Sequence, residues 1–108
     1  MATAAELTRL VNSVEEKMAA WPKWPHWEHG GPSFEEREPE RKAYNEYGMN
    51  VIGELVEKEG AVFKKGSFGG DKLVMAGVST SCTSGIHGLL RNWQGAARRK
   101  ILKLQGVS

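Results

Sequence analysis

The sequence predicts an α+β fold of order ααββα, in which one short antiparallel hairpin packs against helices. Three observations carry this. Apolar residues recur at helical spacing in the stretches 4–20, 39–59 and 85–104; the stretch 61–78 alternates around a glycine-rich interruption; and proline or glycine punctuates the boundaries. A chain of 108 residues with 40% hydrophobic content suits a single domain, 1–108, with one modest core. Small domains hide a smaller fraction of their surface than large ones, so self-association into a homo-oligomer is expected.

The first helix, residues 4–20, opens on Thr3 and Glu6, which have capping-box spacing. Leu7, Leu10, Val11, Val14, Met18 and Trp21 then fall on one face, and Pro22 stops the helix by removing an amide donor. The following stretch, 21–32, reads "WPKWPHWEHGGP" and is predicted to be extended. Trp21, Trp24 and Trp27 recur every third residue among prolines, which lines their indoles along one edge of a polyproline II segment. Laid across the core, each aromatic would bury roughly 150–250 Å². Left exposed, the edge would anchor a partner protein or stack on a base, although Lys23 is its only cation.

"SFEE", residues 33–36, repeats the capping-box spacing, but Pro39 would then fall inside the helix. The second helix is therefore predicted over 39–59 with Pro39 in its first turn, where a missing amide hydrogen costs nothing. Tyr44, Tyr47, Val51, Ile52, Leu55 and Val56 form its apolar face, and Gly60 supplies the stop. Two strands follow, Ala61 to Lys65 and Lys72 to Val78, with the turn near Gly69-Gly70-Asp71. A lone hairpin is marginal, so helices must cover it or a second subunit must extend it.

A Ser/Thr/Gly loop, 79–85, leads into the last helix, 85–104. Ile86, Leu89, Leu90, Trp93, Ala96, Ala97, Ile101 and Leu104 share its core face, flanked by a polar ridge of His87, Arg91, Gln94 and Arg98. Gly88 and Gly95 lie on the opposite side. Each costs a helix interior roughly 1 kcal/mol relative to alanine, which fits either close approach of a second backbone or tolerated surface glycine.

The stretch "GVSTSCTSGIHG", residues 77–88, carries the main functional expectation. A strand, a hydroxyl-rich loop and a helix start form an anion site, because the first amides of a helix lack intrahelical partners and sit at the positive end of its dipole. Ser79, Thr80, Ser81, Thr83 and Ser84 would add hydroxyl donors and Gly85 would allow close approach. His87 and Arg91 would complete a site for a phosphate-containing small molecule, a nucleotide or cyclic oligonucleotide. The stretch matches neither GxxxxGK[ST] nor GxGxxG. It also departs from the Cys-x5-Arg arrangement of phosphotyrosine phosphatases, since Gly88 holds the arginine position. The same residues would make an ordinary serine-rich helix cap.

No catalytic residue, metal or cofactor is expected. Cys82 lacks an identifiable orienting partner beyond His87 and reads as an apolar filler, and of His26, His29, Cys82 and His87 only one pair has local ligand spacing. Without a base or nucleophile, such a site would hold its ligand without turning it over, an act of sequestration. No apolar run approaches the roughly 20 residues a membrane span needs, and the start of the chain lacks a secretory pattern, so no membrane and a cytoplasmic location are expected.

The net charge of +2 is unevenly spread: Glu28, Glu35, Glu36, Glu38 and Glu40 are set against Arg37, while Arg91, Arg98, Arg99, Lys100 and Lys103 have no acid among them. Two alternative functions follow. Nucleic acid would bind the basic C-terminal helix, although its cations flank the apolar face on both sides. A protein-interaction or inhibitor module would instead use the tryptophan segment.

Overall fold

The computed structural model describes residues 2–22, 34–66, 70–83 and 85–106, the side chains of residues 34–38 and 40 aside. Thr3 starts the first helix as its spacing predicts. The Glu6 amide donates to Thr3 Oγ1 at 3.1 Å, and α1 runs Ala4–Ala19 with Leu7, Leu10, Val11 and Val14 buried on one face. Trp24 and Trp27, and the extended stretch predicted beyond Pro22, lie outside the described residues.

The second helix, α2, spans Phe34–Glu59 and so begins before Pro39, which the sequence places in the first turn. An interior proline forfeits one amide donor and crowds the carbonyl four residues back, but here it falls early in a helix of 26 residues. A single missing bond near an end does not stop the turns beyond it. Val51, Ile52 and Leu55 are buried as expected, whereas Val56 is 43% exposed. Gly60, with φ +67°, reverses the chain, and the Ala61 amide donates back to the Leu55 carbonyl at 3.2 Å.

Three strands follow where two were expected: β1 Val62–Lys64, β2 Asp71–Met75 and β3 Val78–Cys82, antiparallel in the order β1-β2-β3. The predicted strand Lys72–Val78 is broken by a two-residue turn, Ala76-Gly77, in which both φ angles are positive, +52° and +75°. The chain therefore folds back, and Val78, expected to continue the second strand, and residues 79–82, expected to form a loop, pair with β2 instead. Val78 lies opposite Met75, Thr80 opposite Leu73 and Cys82 opposite Asp71. The element order is ααβββα, and the α+β class stands.

The last helix, α3, runs Ile86–Leu104 and packs on β3, β2 and α1. Leu89, Leu90, Trp93 and Ala97 are fully enclosed, while Leu104, assigned to the same face, is 45% exposed at the end of the helix. Trp93 and Gln94 pair their polar groups inside this packing. Trp93 Nε1 donates to the Met75 carbonyl at 3.2 Å, and buried Gln94 donates from Nε2 to the Val11 carbonyl at 3.2 Å and to Glu15 Oε2 at 2.9 Å. Gln94 thus ties α3 to α1. Arg9 clamps Glu59, Lys17 pairs with Glu54 at 3.1 Å, and Tyr47 Oη donates to the Lys17 carbonyl at 2.6 Å, which fastens α1 along α2. No helix among the described residues is long and apolar enough to cross a membrane.

Candidate functional site

Alternation along β3 separates the hydroxyls that the sequence gathers into one site. Side chains on a strand point to opposite faces in turn, so Ser79 and Ser81 are exposed on the open side of the sheet while Thr80 is half-buried on the helix side. On the open side, Ser81 lies opposite Lys72, itself opposite Lys64. Thr83 is exposed just after the strand, and Ser84 lies outside the described residues. Gly85, at φ +95°, caps α3 without any side-chain hydrogen bond, so the caps expected from Thr83 or Ser84 are not made among the described residues.

The start of α3 opens into a groove of about 460 Å³ between α2 and the sheet. Its apolar walls are Tyr44 and Met49 of α2, Phe63 of β1 and Ile86 of α3; its polar groups are Asn45, Lys65, Asp71 and His87. The volume is in the range of small-molecule pockets. Trp21 forms the floor. It is 9% exposed, donates from Nε1 to the Tyr44 carbonyl at 3.2 Å, and packs against the rings of Tyr47 and His87, each at 5.0 Å between centroids. Of the two roles open to the tryptophan edge, Trp21 therefore takes the buried one. Burial raises the Tyr44 phenol above its usual pKa.

Asp71 is the one charged residue of this groove that is buried, at 9% exposure, and its carboxylate has no hydrogen-bond or ion-pair partner among the described residues. It lines the same groove as Gly85 and Ile86 at the start of α3, so an anion entering there meets an acidic residue.

A second groove, of about 370 Å³, lies on the other side of His87, between α1 and α3. The predicted polar ridge of His87, Arg91, Gln94 and Arg98 lines it, opposite Glu15, Met18 and Ala19 of α1. Arg91 and Arg98 are exposed and make no ion pair among the described residues, and Glu15 is engaged by Gln94. This is the more cationic groove. His87 is a wall of both, and its pKa lies below the usual value, first because it is buried and second because Arg91 is near.

The single predicted site is thus divided: Gly85 and His87 border the first groove, His87 and Arg91 the second, and Ser79, Thr80, Ser81 and Thr83 border neither. Among the described residues no cluster of His, Cys, Asp or Glu is placed to hold a metal ion. Cys82 is half-buried at the end of β3 and lines neither groove. Asp71 was hidden in the sequence by its assignment to a turn. The signal that finds it is period two: Asp71, Leu73 and Met75 are alternate residues and share the buried face of β2. Comparison with known proteins finds no matching family model, no matching curated protein and no matching solved structure.

Proposed function

We propose that the protein binds a phosphate-bearing small ligand, a nucleotide or cyclic oligonucleotide, and holds it without chemical conversion. The observation that carries this is the groove between α1 and α3, where Arg91 and Arg98 stand two turns apart on one helix face with no ion-pair partner among the described residues. Guanidinium groups are fixed, planar donors that match phosphate oxygens in pairs. His87 adds a ring whose charged form an anion beside it would favour. Relative to the sequence expectation, the phosphate moves from the hydroxyl-rich stretch to the arginine ridge.

A thermal-shift and calorimetric panel of mononucleotides, cyclic dinucleotides, inorganic pyrophosphate and short single-stranded DNA and RNA tests the proposal. Stabilisation by nucleotides that is lost in Arg91→Ala and Arg98→Ala supports it. Absence of any shift with every phosphate compound overturns it, as does binding restricted to long nucleic acid with a steep salt dependence, which would assign the function to the basic helix as a whole.

A further inference from the structure

We infer that the groove beside Asp71 takes a guanine base, so that the ligand is a guanine nucleotide whose base lies in the first groove and whose phosphate reaches the second past His87. This deepens the phosphate-binding proposal and rests on it for the position of the phosphate only. The base position has its own support in Asp71.

An ionised carboxylate is an acceptor with two oxygens and no donor. At 9% exposure and without a partner among the described residues, the Asp71 carboxylate keeps that capacity for whatever enters the groove. Guanine presents two adjacent parallel donors, the ring N1–H and the exocyclic amino group, which both oxygens can accept at once. Adenine offers one donor beside a ring nitrogen that would face the carboxylate lone pair to lone pair, and uracil and cytosine offer no such pair.

The remaining walls suit the same ligand. Tyr44, Phe63 and Ile86 provide apolar surface for a flat ring, and Asn45 adds an amide. Lys65 lines the same groove, so a free amine or guanidinium seeking Asp71 would meet a second cation, whereas a neutral base would not be repelled by it. His87 borders both grooves, so a ligand lying over its ring passes from Asp71 towards Arg91.

Isothermal titration of the intact protein with GMP, AMP, CMP, UMP, guanosine, adenosine and inorganic pyrophosphate decides the matter. GMP is expected to bind about tenfold or more tightly than the other nucleotides, in line with the discrimination of a two-bond base contact. Asp71→Asn should abolish that preference, leave pyrophosphate affinity unchanged, and favour xanthosine monophosphate, whose N1–H and C2 carbonyl match an amide. Circular dichroism checks that the variant folds. Equal affinity for all bases, or a guanine preference untouched by Asp71→Asn, overturns the inference while leaving the phosphate site standing. Loss of pyrophosphate and nucleotide binding with retained guanosine-over-adenosine preference would do the reverse.

Discussion

Gly48 of α2 lies directly against the indole of Trp21: a Cβ at position 48 would come within 2.8 Å of Trp21 Cζ2 and 3.2 Å of Cη2, with Ile86 Cβ at 3.4 Å. Trp21 is held on its other sides by Tyr44, Tyr47 and His87 and by its own hydrogen bond, so it has little room to withdraw. The first groove owes its floor to this contact.

Gly48→Ala should therefore destabilise the protein by about 1–2 kcal/mol, because overpacking outweighs the gain in helix propensity. Gly53→Ala, on the same helix with nothing within 4 Å of its Cβ position, should stabilise by up to about 1 kcal/mol. Urea denaturation of the two variants measures both signs, and tryptophan fluorescence should shift in Gly48→Ala alone.

The turn between β2 and β3 carries a second prediction. Ala76 has φ +52°, a conformation that costs an L-residue about 1–2 kcal/mol and glycine nothing. Ala76→Gly should raise stability by about 0.5–1 kcal/mol, the gain being trimmed by the loss of a partly buried methyl. Gly77→Ala, at φ +75°, should lower it by about 1–2 kcal/mol. Denaturant midpoints at unchanged m-values would establish both.

Stability should also depend on pH in two windows. His87 has a folded pKa depressed by burial, so below about 6.5 the unfolded chain binds a proton that the folded one resists, and stability falls as pH drops through that range. His87→Phe should flatten this slope. Glu54 and Glu59 are held below the usual carboxylate value chiefly by their hydrogen bonds, from Lys17 and Lys58 to Glu54 and from Arg9 to Glu59, so their contribution is present above about pH 4.3 and is lost on further acidification. Urea midpoints from pH 7 to pH 3 should show both steps, and an NMR titration should place His87 below the ordinary histidine value. A His87 midpoint at or above 6.5 would contradict the first.

Much of the fold was legible in residues whose spacing has a direct physical meaning. Thr3 and Glu6 marked the first helix because a cap is a local event, and the apolar faces of α1 and α3 could be read because a packed helix must repeat near 3.6 residues. The start of α2 was not, since one proline weighs heavily in a local argument and lightly in a helix of 26 residues. The third strand was missed because Val78–Cys82 is rich in serine and threonine, and its pairing depends on an alanine accepting a left-handed turn conformation.

For the candidate site the same division holds. The chain alone determined that His87, Arg91, Gln94 and Arg98 share a ridge, because that follows from the helical period. Only the tertiary structure decided that Gln94 is spent on binding α1, that β3 puts Ser79 and Ser81 on one face and Thr80 on the other, and that Asp71 faces a groove without a partner among the described residues. The physical reason is range: periodicity and capping act within a few residues, whereas a groove is formed by Trp21, Tyr44, Asp71 and His87, distant in the chain and brought together by packing.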